Sequence, residues 1–337
     1  MPKKIDITIL LLLLSILTVT ASEQTFDIRT TFTGILDNRE YSNSVSTDQT
    51  VFGSRIDLTL GYTIDSEHQL RAGAGYFQQF GSDFNQEPAY PLLYYKYSGP
   101  VTTFYMGSFP RNETVSFPRS LISDSLIYYR PAVQGTYFRA ANHLISQNVW
   151  IDWVSFRTDT DPEHFIFGAS GSLQYGGFFL DHYFKMFHKV GPLQPIPGQS
   201  IRDNGGAFVS AGYRKDELSV FDSLEIRCGY LVTLDRIRSG GNWNTPAGIV
   251  VAGRMYAFDF GLDFTAFRGE AQKILLGDPL YNTGSYGRID LSYGRTVANG
   301  MVRYKYIQGI HFIHNSVDYS HVFYLTVAIG AELWNKD

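Results

Sequence analysis

Over most of its length this chain alternates apolar and polar side chains with a period of two, and no helical period is sustained beside it. Ile56, Leu58, Leu60 and Tyr62 alternate with Arg55, Asp57 and Thr59. Leu224, Ile226, Cys228, Tyr230 and Val232 alternate with Glu225, Arg227 and Thr233. Val302, Tyr304 and Tyr306 alternate with Arg303 and Lys305. The clearest case is His321–Trp334, where Phe323, Leu325, Val327, Ile329, Ala331 and Leu333 form one row. A strand turns successive side chains to opposite faces, so one face of this segment is apolar and the other small or polar. Its length exceeds the usual strand of roughly 5–6 residues and suits the roughly 9–11 tilted residues that cross a bilayer.

The connections between these segments alternate in length. Short ones fall near Thr63–Gln69, Ser98–Pro100, Asn142–Gln147, Tyr175–Phe178, Arg214–Ser223, Phe258–Asp259 and Arg295–Gly300. Between them lie mostly longer ones: Leu36–Thr50, Gln79–Tyr90, Ser108–Arg130, Thr158–His164, Lys189–Gly206, Asp235–Ala247, Gly269–Thr283 and Gln308–Tyr319. Roughly eight long and seven short connections predict an all-β fold, a transmembrane antiparallel up-and-down barrel of about 16 strands, with 14 or 18 left open. A soluble sandwich gives no reason for such alternation. No water in lipid satisfies an open sheet edge, so Phe26–Thr33 is expected to pair with Phe323–Leu333.

Residues 1–21 read as a cleaved export signal. Lys3 and Lys4 precede an apolar run from Ile7 to Val19, and Val19-Thr20-Ala21 offers small residues for cleavage after Ala21. The run is too short for a membrane helix, which needs about 20 residues. Residues 22–337 read as one barrel domain, since no linker composition divides them. The single cysteine, Cys228, excludes an intramolecular disulfide framework. A formal net charge of −4 argues against nucleic acid as a partner. Aromatic content is 15%, yet mean hydropathy is slightly negative, as expected of a barrel with a lipid-facing and a wet row. The expected location is the bacterial outer membrane, with the lipid bilayer and small hydrophilic solutes as partners.

In this architecture the chain resembles the bacterial porins, from the signal peptide through the whole mature chain, although no residue-specific motif carries the likeness. It departs from them at its end, where Trp334 is followed by Asn335-Lys336-Asp337 and lies out of phase with the apolar row. The resemblance implies passive diffusion through a water-filled lumen, a third outer loop that folds inward, and a homo-oligomer. Polar rows assigned to the lumen bring Arg29, Arg55, Arg71 and Lys96 from the first strands near Arg288, Arg303 and Lys305 from the last, a basic arc of wall that would favour anions. Asp27, Asp57, Asp290 and Glu332 are interspersed, and a mixed-charge general lumen is the plainer alternative. The longest connection, Ser108–Arg130, is expected to narrow the channel, with Arg111, Glu113, Arg119 and Asp124 facing the wall arginines. The tyrosines and tryptophans read as an interfacial girdle, except that Trp150 shares a phase with Asp152 and is a candidate for stacking on substrate.

Enzymatic groupings are sparse. Asp181 and His182 adjoin in a strand and so point to opposite faces. His311 and His314 have metal-ligand spacing without further close ligands. Neither a nucleophile elbow nor a phosphate-cradling glycine loop occurs. The reading is therefore a porin-like channel with no cofactor, metal or catalytic residue. A facilitator selective for anions or sugars, a barrel hydrolase and a surface-binding barrel are the alternatives.

Overall fold

The computed structural model describes residues 24–83, 88–194 and 200–336; the export signal read at 1–21 lies outside the described residues. The described residues form sixteen antiparallel strands: β1 (Gln24–Glu40), β2 (Gln49–Thr63), β3 (His68–Gln79), β4 (Tyr90–Ser98), β5 (Thr102–Pro110), β6 (Ala132–Ala141), β7 (Ile145–Ser155), β8 (Glu163–Tyr175), β9 (Phe178–Val190), β10 (Arg202–Leu218), β11 (Phe221–Ile237), β12 (Ala247–Ala257), β13 (Phe260–Gly269), β14 (Ser285–Val297), β15 (Val302–Ile313) and β16 (Ser316–Lys336). Each pairs with its sequence neighbours, and β1 pairs with β16, so the sheet closes into a barrel. Thr33 lies opposite Thr326 and Ile28 opposite Ala331, which is the closure expected from the sequence. Closure satisfies every ladder without an edge, the condition lipid imposes.

The two side-chain rows divide as the alternation requires. In β1, Thr33, Ile35 and Asp37 are buried inside the barrel while Phe32 is exposed on its outer face. In β2, Arg55 and Thr59 turn inward and Ile56, Leu58 and Leu60 face out. The outward apolar row faces lipid, and the inward row carries most of the charged pairs.

The end of β16 explains the anomalous phase of Trp334. Phe26 pairs with Trp334 and Asp27 with Glu332, so the register slips by one residue at Leu333. This bulge leaves Leu333 and Trp334 both exposed, and Trp334 stands beside Phe26. The expected long connection Gln308–Tyr319 is corrected: β15 and β16 continue to a two-residue turn at 314–315, with His314 at φ 51°. The polar residues that suggested a loop are instead satisfied inside the barrel. Asp318 accepts from the Ser42 amide at 2.9 Å and from Asn43 Nδ2 at 2.7 Å, both on the connection between β1 and β2.

Candidate functional site

Two long connections turn into the barrel and meet there. The first, 111–131, joins β5 to β6 and starts from a fully buried root. Phe109 has no exposure, and Arg111 donates from Nε to Arg130 O (2.8 Å) and from a terminal nitrogen to Ala132 O (3.2 Å) and to Asp152. Asp152, itself fully buried on β7, also accepts from Arg130 (3.2 Å) and the Gln134 amide (3.0 Å). Beyond this root, Pro118 O accepts from the amides of Leu121 and Ile122, and one turn of helix forms at Leu126–Tyr129. The second connection, 270–284, joins β13 to β14. It is held by Asn204, which donates to Lys273 O (2.9 Å) and accepts from the Leu275 amide (2.7 Å).

Apolar side chains explain why both segments stay inside. Leu121, Ile274, Leu280 and Tyr281 pack with Phe208, Leu231, Val250 and Phe267 of the wall. Left in an external loop, each such aliphatic side chain would forgo about 1.5–3 kcal/mol of burial. The segments also bind each other: the Ser123 amide donates to Leu276 O (2.7 Å) and the Asp278 amide to Arg119 O (2.9 Å). Lys185 of β9, fully buried, donates to Leu121 O (2.6 Å) and Leu275 O, one residue of each segment.

Where the segments meet the wall they form a charged neck. Arg119 donates to Asp124 (2.6 Å) and to Asp290 of β14 (2.9 Å). Arg288 donates to Asp290 (2.7 Å) and lies 3.9 Å from Asp278. Arg119, Asp124, Asp278 and Arg288 border both an inner chamber of about 450 Å³ and a neck cavity of about 30 Å³. The neck leads by Arg39 and Tyr41 to an outer vestibule of about 600 Å³. The neck is narrow but has room for water, which needs about 10–15 Å³ of such space. Burial raises the Asp278 carboxyl above the ordinary range, against the nearby Arg288. Burial also opposes ionisation of Asp124, but Arg119 and Arg288 outweigh it and hold its carboxyl below that range.

A hydroxyl and an imidazole adjoin the same neck. His311 Nε2 is 2.9 Å from Ser320 Oγ, and its Nδ1 is 3.0 Å from Tyr286 OH. Ser320 borders the neck cavity, and all three side chains are buried. This is the spacing of a nucleophile, a base and an orienting group.

The residues singled out by sequence fall into three groups. Arg119, Asp124 and Arg288 meet at the neck, and Lys305 borders the inner chamber. Arg29 pairs with Asp27 (3.1 Å), Arg55 with Asp57 (3.1 Å) and Arg71 with Asp27 (2.7 Å), so carboxylates interrupt the expected basic arc. Lys96 stands 5.4 Å from the Tyr105 ring centre, while Glu113 and Arg303 are exposed away from the neck. Arg111 faces the wall rather than the opening, because Asp152 and two carbonyls take its donors. Trp150 is 2% exposed, lies edge-on to Phe117 at 5.6 Å, and is covered where stacking on a solute would need it open. Sequence reasoning missed Asp278, Lys185 and Ser320 as members of the site. Asp278-Pro279 carried a usable signal, since its carboxylate accepts from the Leu280 amide as a cap before proline.

A family model described as lipid A 3'-O-deacylase-type matches residues 18–333, almost the whole chain. The chain belongs to this family. No curated protein is a significant match. Solved barrels share the fold of this deacylase-type chain at low identity. The loop L8 deletion mutant of OmpT of Vibrio cholerae superposes with a TM-score of 0.56 at 11% identity, covering 91% of this chain and 99% of that one. OccK11 (OpdR) of Pseudomonas aeruginosa gives 0.57 at 9%, covering 91% and 96%. OmpF of Salmonella typhi, in complex with daunomycin, gives 0.54 at 11%, covering 90% and 97%. These likenesses show that the chain has the closed barrel fold seen in outer-membrane porins; fold alone does not carry activity, which the site must supply.

Proposed function

We propose that this member of the deacylase-type family is an outer-membrane channel for small charged or polar solutes, gated by the neck formed by Arg119, Asp124, Asp278, Arg288 and Asp290. The observation that carries the proposal is the sequence of vestibule, neck and chamber down one bore, each sharing charged residues with the next. Buried loop roots hold the constriction, while the side chains of Arg119 and Asp124, paired with each other, keep 34% and 40% of their surface exposed. Passage then requires those two side chains to move, and the facing charges select which solutes cross. Export by the signal at 1–21 and assembly into a homo-oligomer belong to the same proposal.

Planar-bilayer recording tests it. The native barrel should give small stepwise openings, and Arg119→Ser with Asp124→Ser should give larger ones. A sealed bilayer with folded protein, for both forms, overturns the channel reading.

The second reading is an ester hydrolase. It is favoured by the family membership together with the Ser320–His311–Tyr286 contacts. His311 would take the Ser320 proton as the hydroxyl attacks an acyl carbon, and would return it to the leaving alcohol. Mass spectrometry of lipid A from cells producing the native, Ser320→Ala and His311→Ala forms decides it. Acyl loss that requires both residues supports hydrolysis; unaltered lipid A with every form sinks it.

A further inference from the structure

The outer face of β7–β11 carries a feature that the bore does not use. Trp153 and Phe165 stack at 5.2 Å, and Phe165 lies 4.8 Å from the His188 ring. His188 Nδ1 is 2.5 Å from Asp203 Oδ1. The other Asp203 oxygen accepts from Arg236 (3.0 Å) and Arg238 (3.1 Å), and the Arg236 guanidinium lies 4.4 Å over the Trp243 ring. Asp203, His188 and Arg236 occupy the row opposite the inward-turned Asn204, Phe187 and Asp235, so the cluster is on the lipid side. It sits at the strand ends that lead into the long connections, just beyond the aromatic pair.

Among the described residues, the charge here is not balanced. One carboxylate serves two guanidinium groups and a histidine. Arg236 Nε is buried without a hydrogen-bond partner, and the Arg238 side chain keeps 47% of its surface open. Aromatic side chains on the outer row mark headgroup depth in barrels. At that depth the abundant anion is lipid phosphate, whose oxygens suit the fork of donors that arginine presents.

We propose that Arg236 and Arg238, braced by Asp203 and Trp243, bind the phosphate of a membrane-lipid headgroup on the barrel's outer surface. The acyl chains would then lie down the apolar strip below, against Phe165 and Trp153. Asp203 acts as a positioning residue: one of its oxygens holds Arg236 by a terminal nitrogen and Arg238 by Nε. The site is independent of the bore and stands whether the neck passes solutes or not.

Native mass spectrometry of the purified barrel in dodecyl maltoside tests this, with dioleoyl phosphatidic acid, dioleoylglycerol and inorganic phosphate as probes. Phosphatidic acid should remain bound after detergent release, and Arg236→Gln with Arg238→Gln should weaken retention about tenfold. Arg268→Gln, which alters another exposed arginine of the same rim, should change nothing. Equal retention of dioleoylglycerol would mean apolar adhesion and would overturn the proposal. Equal binding of inorganic phosphate would make this a free-anion site and overturn the lipid assignment. Undiminished phosphatidic acid on the double variant would also refute it. If the double variant lacks the heat-shifted band of a folded barrel, Arg238→Gln alone carries the comparison, because that side chain is half exposed.

Discussion

Replacing Asp152 by alanine should loosen the root of the inward loop without touching the neck. Asp152 has no exposure and takes hydrogen bonds from Arg111, Arg130 and the Gln134 amide. The Arg130 side chain is 26% exposed and can be rehydrated, but Arg111 is 1% exposed. Asp152→Ala therefore leaves a buried guanidinium with carbonyl partners only, which costs about 3–5 kcal/mol. Asp152→Asn keeps acceptors for Arg111 and should cost less. Arg111→Met combined with Asp152→Leu removes both charges and should recover most of the loss, because an apolar pair of similar volume is often neutral in place of a buried ion pair. The assay is denaturant unfolding of the vesicle-inserted barrel, read by the fluorescence of Trp150 with the other three tryptophans changed to phenylalanine. Trp150 lies on the same face as Asp152, 2% exposed, and will report opening of the root. A loss below about 1 kcal/mol for Asp152→Ala, or a double variant as damaged as the single, would refute the reasoning.

Three other outcomes rest on the same geometry. Lys185→Met should release both inward segments, since the carbonyls of Leu121 and Leu275 lose their shared donor, at about 1–3 kcal/mol for the buried Leu121 carbonyl; faster proteolysis within 111–131 and 270–284 checks it. Acidification should make the neck more anion-selective: the Asp278 carboxyl is raised and the Asp124 carboxyl lowered, so as pH falls Asp278 takes its proton first while Asp124 stays ionised, leaving Arg119 and Arg288 in excess. A reversal potential that moves toward cations on acidification would contradict this. Gly168→Val should destabilise the barrel by about 1–3 kcal/mol and shift Trp150 emission, because a Cβ at Gly168 would overlap the Trp150 ring.

The period of two, the rhythm of short and long connections, and the need to pair every backbone group in lipid were enough to predict the barrel and its closing pair and to put the strand number near sixteen, with 14 and 18 still open; the closed sheet fixed it at sixteen among the described residues. Those are local or universal constraints, and a chain displays them residue by residue. The inward turn of the third long connection was expected from the resemblance to porins and from its length. The partners were not. The 270–284 segment meets Arg119 across the bore, Lys185 ties both segments, and Asp27 and Asp57 take up the arginines that looked free. Alternation tells which face a side chain takes, but not its height or which loop crosses to it. Those depend on strand tilt and on apolar packing between residues more than a hundred positions apart. Only the closed tertiary structure brings Asp124, Asp278 and Arg288 around one narrow opening.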